Sequence, residues 1–178
     1  MHTHLLEVFA RLDAQRATLR AAVDSVPPAR RRERPGPDRW SAAEVLEHLS
    51  LVEARFTDWV AKAIAGARET GLGPEHAERA PLSPEIEGVQ SDRTRPRIAP
   101  PPVIPGGTLD DSAAWAAVER ARETFRKTVT AADGLALSGV TFAHPAFGTL
   151  NVYQWVEFVA LHEARHTAQI KEIAAQFG

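Results

Sequence analysis

Residues 162–166 read His-Glu-Ala-Arg-His, an H-E-x-x-H string of the kind many zinc proteases use. Histidines four residues apart on an α-helix lie about 40° apart around its axis. His162 and His166 therefore share a face and can offer two nitrogens to one cation. The rest of a protease is missing. The metzincin extension needs glycine and histidine where this chain has Gln169 and Glu172. Glu172 also fails as a downstream ligand, because it lies about 240° around the same helix from His166. Glu163, the residue a protease would use as general base, is about 100° from His162. That places it at the edge of the core-facing stripe rather than above a metal. A third ligand has to come from upstream.

His48 is the residue that fits. It lies between Val45 and Val52 and beside Leu49 in an amphipathic segment, so it points toward a core. The His162/His166 face is continued by Trp155, Phe158 and Val159 before the pair and by Ile170, Ile173 and Phe177 after it. Two helices can thus bring three imidazoles to one buried place, where leaving them without partners would be costly. Two resolutions are open on the residues alone. Each ring finds a hydrogen-bond partner in the core, or the three hold a divalent cation, for which neutral imidazole is a good ligand.

Four helical segments must position these residues. The first, about residues 2–26, places Leu5, Leu6, Phe9, Leu12, Leu19 and Val23 on one side and stops before Pro27-Pro28. The second starts at Ser41, with Glu44 positioned to close a capping box, and runs toward Gly71. The third, about 110–132, opens on Asp110-Asp111-Ser112 and carries Trp115, Val118, Phe125 and Val129. The fourth starts near Asn151, with Gln154 as its capping partner. Residues 72–108 hold eight of the chain's thirteen prolines and read as an extended crossover. Residues 135–150 have room for one or two short extended pieces. The expected fold is all-α: a four-helix bundle with a long Pro-rich crossover between the second and third bundle helices, forming a single domain over residues 1–178.

Composition narrows the partners. A net charge of −2 gives no general reason to expect nucleic acid or an anionic membrane. The basic stretch at residues 29–39 lacks interleaved aromatics, includes Glu33 and Asp38, and reads as a solvated loop. With no cysteine there is no disulfide, thiolate ligand or cysteine nucleophile, which fits a cytoplasmic protein. No run approaches 18 apolar residues, so no membrane span is expected.

The stretches WSAAEVLEHLSLVE (residues 40–53) and HPAFGTLNVYQWVEFVALHEARHTAQI (residues 144–170) resemble the DinB-like family of DNA-damage-inducible four-helix bundles. The likeness runs over essentially the whole chain: a tryptophan and capping box before a histidine helix, a long crossover, then a glycine turn into a helix with H-x-x-x-H. It implies a divalent metal ion on positions that match His48, His162 and His166, and imidazole ligands suit zinc, nickel or iron there. It also implies pairing into a homodimer, as many relatives do. Relatives in the wider superfamily include thiol-dependent S-transferases and a thiol-dependent isomerase.

Three neutral ligands leave a cation its full charge and at least one open position. Such an ion makes water or a thiol nucleophilic, giving a small-molecule hydrolase or a low-molecular-weight-thiol S-transferase. The rival is a non-catalytic metal- or small-ligand-binding stress protein. Glu44 and Gln169 are each either helpers of a histidine or plain cap and surface. His144 reads as turn structure, Trp40 and Trp155 as packing, and His2, His4 and His76 as solvated. The crossover either covers the site or simply spans the bundle.

Overall fold

The computed structural model describes residues 1–94 and 97–177, so Pro96, one of the crossover prolines, lies outside the described residues. Its helices are α1 (Thr3–Asp24), α2 (Ala42–Glu69), α3 (Pro84–Ser91), α4 (Asp111–Thr130) and α5 (Val152–Phe177). Two strands, β1 (Thr141–His144) and β2 (Gly148–Asn151), form an antiparallel hairpin between α4 and α5. The four long helices make the bundle: α1 packs along α5, α2 along α4, and α2 meets α5 more narrowly. Among the described residues no helix is long and apolar enough to cross a membrane.

Local chemistry explains the helix starts. Ser41 Oγ accepts from the Glu44 amide and the Glu44 carboxylate accepts from the Ser41 amide, so both halves of the capping box form. Asn151 and Gln154 make the same reciprocal pair at the head of α5. Asp110 caps α4 through the Ala113 amide. The extended pieces expected in 135–150 are the hairpin, whose return strand opens on Gly148 at φ 76°, the left-handed region that glycine favours.

The crossover is not extended throughout. Ser83 accepts from the Ile86 amide and Pro84 stands at the first helical position, so eight residues coil into α3. The segment is also tied down along its length. Glu157 on α5 accepts from the Leu82 amide at 2.8 Å and from Arg79 at 2.6 Å. Arg165 on α5 donates to the carbonyls of Gln90 and Asp92. Past α3, the Gly106 and Gly107 amides donate to the Glu47 carboxylate on α2. The crossover therefore lies across the α2/α5 seam.

The core is divided. One apolar cluster includes Leu5, Phe9, Leu12, Phe56, Phe125 and Trp155; the other includes Leu19, Val23, Leu46, Leu49, Val118 and Ile170. Between them runs a charged layer with one residue from each bundle helix: Arg16 (α1), Glu53 (α2), Arg122 (α4) and Glu163 (α5). Arg122 Nε donates to Glu53 Oε1 at 2.5 Å, and Arg122 Nη2 to Glu163 Oε2 at 2.8 Å. Arg16 Nη2 reaches Glu163 Oε2 at 2.8 Å. Glu53, Arg122 and Glu163 are 4%, 5% and 2% exposed, so the pairs are truly desolvated. Leu6, assigned to the buried face of α1 from its spacing, is exposed, and Val8 is buried beside Leu5 and Phe9.

Breaking a buried ion pair strands its partners, which typically costs about 3–5 kcal/mol, whereas exposed pairs contribute about 0–1 kcal/mol. We therefore expect Arg122→Met to lower unfolding free energy by about 3–5 kcal/mol in denaturant titration. Lys127→Ala, which removes an exposed pair with Glu123, should change it by less than about 1 kcal/mol.

Candidate metal centre

His48 projects from the second turn of α2, and His162 and His166 from consecutive turns of α5, into the narrow α2/α5 seam. The three rings converge. Centroid separations are 5.4 Å for His48–His162, 4.7 Å for His48–His166 and 4.6 Å for His162–His166. One ring nitrogen from each lies within 4.8 Å of the others, so the group could hold a metal ion. Among the described residues no carboxylate joins that group.

Whether the residues suit a metal is tested by their outer hydrogen bonds. His48 Nδ1 lies 2.7 Å from the Val103 carbonyl oxygen, which only accepts, so this nitrogen carries the proton. His166 Nδ1 is 2.8 Å from Gln169 Oε1, again an acceptor. In both rings Nε2 is left as the bare donor. Metal-ligating histidines show the same division, one nitrogen held by a carbonyl or carboxylate and the other free for the ion. Ligand nitrogens about 2.0–2.1 Å from one cation lie at most about 4.2 Å apart, so ring nitrogens already within 4.8 Å need only a small inward movement to close on an ion. The donor set fits.

Protonation agrees with that reading. Burial holds His162 far below the ordinary imidazole range, and the neighbouring His166, His48 and Arg165 add to the effect. Burial, reinforced by His48, pushes His166 down to about 3, despite the opposing hydrogen bond it donates to Gln169 Oε1. His48 is lowered by burial and partly restored by the Val103 carbonyl. All three are neutral at pH 7, the form that binds metals.

The surroundings settle the roles left open by the sequence. Gln169 holds His166. Glu44 does not touch the triad; it completes the capping box and pairs with Arg34. Trp40 packs beside His48, with ring centroids 4.8 Å apart, while Trp155 is fully buried and stacks on Phe142. His144 is turn structure: its Nδ1 accepts from the Ala146 amide, and its ring packs on Trp155 and Phe158. Burial, with help from the charge of Arg97, lowers His144 to about 4. His76 is exposed, but His2 and His4 are not simply solvated. His2 accepts from the His4 amide at the start of α1, and His4 packs edge-on against Tyr153. The basic stretch is partly engaged too, since Arg31 pairs with Asp111 and Arg34 with Glu44.

Two features escaped the sequence reading. The Val103 carbonyl brings the crossover onto His48, so the crossover does line the site. Glu163, read from its spacing as lying at the edge of the core-facing stripe, and Glu53, which carried no reading, belong to the charged layer. The available signal was Arg16 and Arg122, each four residues after one buried stripe residue and three before the next.

Comparison with known proteins gives three findings. The sequence model of the DinB superfamily matches residues 11–170. A Bacillus subtilis (strain 168) protein described as "Uncharacterized protein YuaE" is 31% identical over 145 residues, spanning 79% of this chain and 81% of that one. The solved structure titled "Crystal structure of TT2238, a four-helix bundle protein" is similar with a TM-score of 0.60. It is 24% identical and covers 94% of this chain and 98% of its own, so the shared feature is the fold.

Histidines held below their unfolded value of about 6.5 bind fewer protons folded than unfolded. Their contribution to stability is complete above that value and is lost as pH falls toward the folded values, about 3 for His166. For metal-free protein we expect the denaturation midpoint to hold near pH 7–8 and to fall steadily between about pH 6.5 and 4. In His166→Gln the slope over that window should be shallower by up to one proton, about 1.4 kcal/mol per pH unit.

Proposed function

The chain belongs to the DinB superfamily, and we propose that it is a divalent-metal-dependent enzyme acting on a small molecule, with the cation on His48, His162 and His166. The observation that carries this reading is the donor set: three neutral imidazoles within reach of one ion, and no fourth protein ligand beside them among the described residues. Structural zinc sites are closed by four protein ligands, whereas catalytic sites keep a position open. A zinc, nickel or iron ion held there would supply the Lewis acidity that makes water or a thiol nucleophilic near neutral pH.

The chain's own residues bind and orient. Val103 and Gln169 fix two of the rings, so little reorganisation remains when a ligand arrives. Trp40 on one side and Phe56 on the other wall the triad with aromatic surface. With no cysteine in the chain, a thiol has to enter as a low-molecular-weight cosubstrate. The two reactions proposed are transfer of such a thiol to a small electrophile and hydrolysis of a small molecule, both in the cytoplasm. One observation favours a second reading, a non-catalytic metal or small-ligand binder active under stress: the cavity beside His162 measures only ≈ 10 Å³.

Metal content of protein purified without an affinity tag separates these from a plain packing role. We expect about one zinc, nickel or iron per chain, lost in His166→Ala. The loaded protein should then take up an added small thiol at the metal, seen as a charge-transfer band when the ion is nickel or iron, and turn over an electrophile or hydrolysable ester. A loaded site that admits neither water nor added thiol is the outcome expected of the binder.

A further inference from the structure

Two of the three imidazoles have an outer partner in the protein, Val103 for His48 and Gln169 for His166. His162 makes ring contacts with His48, His166 and Phe56, and its outer nitrogen has no hydrogen-bond partner among the described residues. A cavity of ≈ 10 Å³ is lined by His162 together with Glu53 and Glu163 of the charged layer, the remaining walls being apolar side chains of α2 and α5 such as Val159. About 10–15 Å³ of such space holds one water.

The two carboxylates have acceptor capacity to spare. Glu53 Oε1 takes the short bond from Arg122 Nε, but Glu53 Oε2 has only long approaches, 3.4 Å from Arg122 and 3.5 Å from Arg16. On Glu163, Oε2 receives the two 2.8 Å bonds, while Oε1 has a single contact at 3.3 Å from Arg16. A buried carboxylate oxygen left so poorly satisfied is costly unless something donates to it.

We propose that this cavity is a one-water site that couples the histidine triad to the charged layer, with Glu53 as the positioning residue for His162. The water accepts the outer N–H of His162 and donates its two hydrogens to Glu53 Oε2 and Glu163 Oε1. Three bonds is the usual complement of a buried water. The relay gives His162 what Val103 and Gln169 give its neighbours: a fixed tautomer, a fixed ring plane and a more basic inner nitrogen. It also means that filling the metal site tightens the layer that joins all four bundle helices.

This water site rests on the reading above that His162 is a metal ligand, and the test keeps the two apart. The full chain is titrated with cobalt(II) against a chromophoric chelator, and its visible bands are recorded, for wild type, Glu53→Gln, Val159→Ile and Val159→Ala. Val159→Ile puts one methyl group into the cavity without touching a charge; Val159→Ala loosens the same wall and leaves the water its space. We expect Glu53→Gln and Val159→Ile to bind cobalt(II) about 10–100-fold more weakly, with shifted visible bands. Val159→Ala should bind within about twofold of wild type despite its lower melting temperature. If Glu53→Gln fails to fold, the two Val159 variants decide. Wild-type affinity and superimposable bands in a folded Val159→Ile overturn the water site alone. A wild-type chain that takes no cobalt(II) overturns the metal reading and the water site with it.

Discussion

Four charges, one from each bundle helix, meet in a plane that water scarcely reaches. Arg16, Glu53, Arg122 and Glu163 balance to zero, and that balance is what allows them to be buried at all. Each charge is satisfied only when all four helices are in register, because Arg122 reaches the carboxylates of two other helices and also donates to the Leu12 carbonyl of the third. A shift of one helix by a turn would leave an arginine facing leucine. The apolar clusters on either side could tolerate such a shift far better, since hydrophobic burial has little direction. The layer thus fixes the register in which the histidines meet.

That register places the triad in the α2/α5 seam, next to the carboxylates of Glu53 and Glu163. The α1/α5 and α2/α4 pairs pack closely, whereas α2 and α5 meet more loosely, and there His48 faces His162 and His166. Burial keeps the imidazoles neutral, and adjacent positive charge from Arg165 reinforces this. A carboxylate among the ligands would hold a cation more tightly but would blunt its charge. The neutral triad instead stands beside an ion layer whose charges compensate one another. The Pro-rich crossover then seals the seam, pinned by Glu157 and Arg165 on α5 and by Glu47 and His48 on α2.

The triad was legible in the sequence because all three histidines sit on long helices with strong apolar periodicity, where neighbours such as Val45, Val52, Phe158 and Ile170 show which way a side chain faces. Both capping boxes were legible for the same local reason. The charged layer was not. A single arginine in an apolar stripe has no evident meaning until its partners are known, and Arg122 finds Glu53 across 69 residues. The Val103 carbonyl is a backbone group with no sequence signature. Helix α3 did have one, Ser83-Pro84 followed by Glu85 and Glu87, but it lay within a run of prolines that pointed to extended chain.

The central claim is that the α2/α5 seam is a metal centre built from three neutral histidines. Anomalous diffraction tests it most directly, on crystals grown with zinc and measured above and below the zinc absorption edge. We expect one strong anomalous peak per chain, bounded by the inner nitrogens of His48, His162 and His166. No peak in the seam, or a peak only at surface carboxylates, would contradict the claim and leave the three histidines as packing.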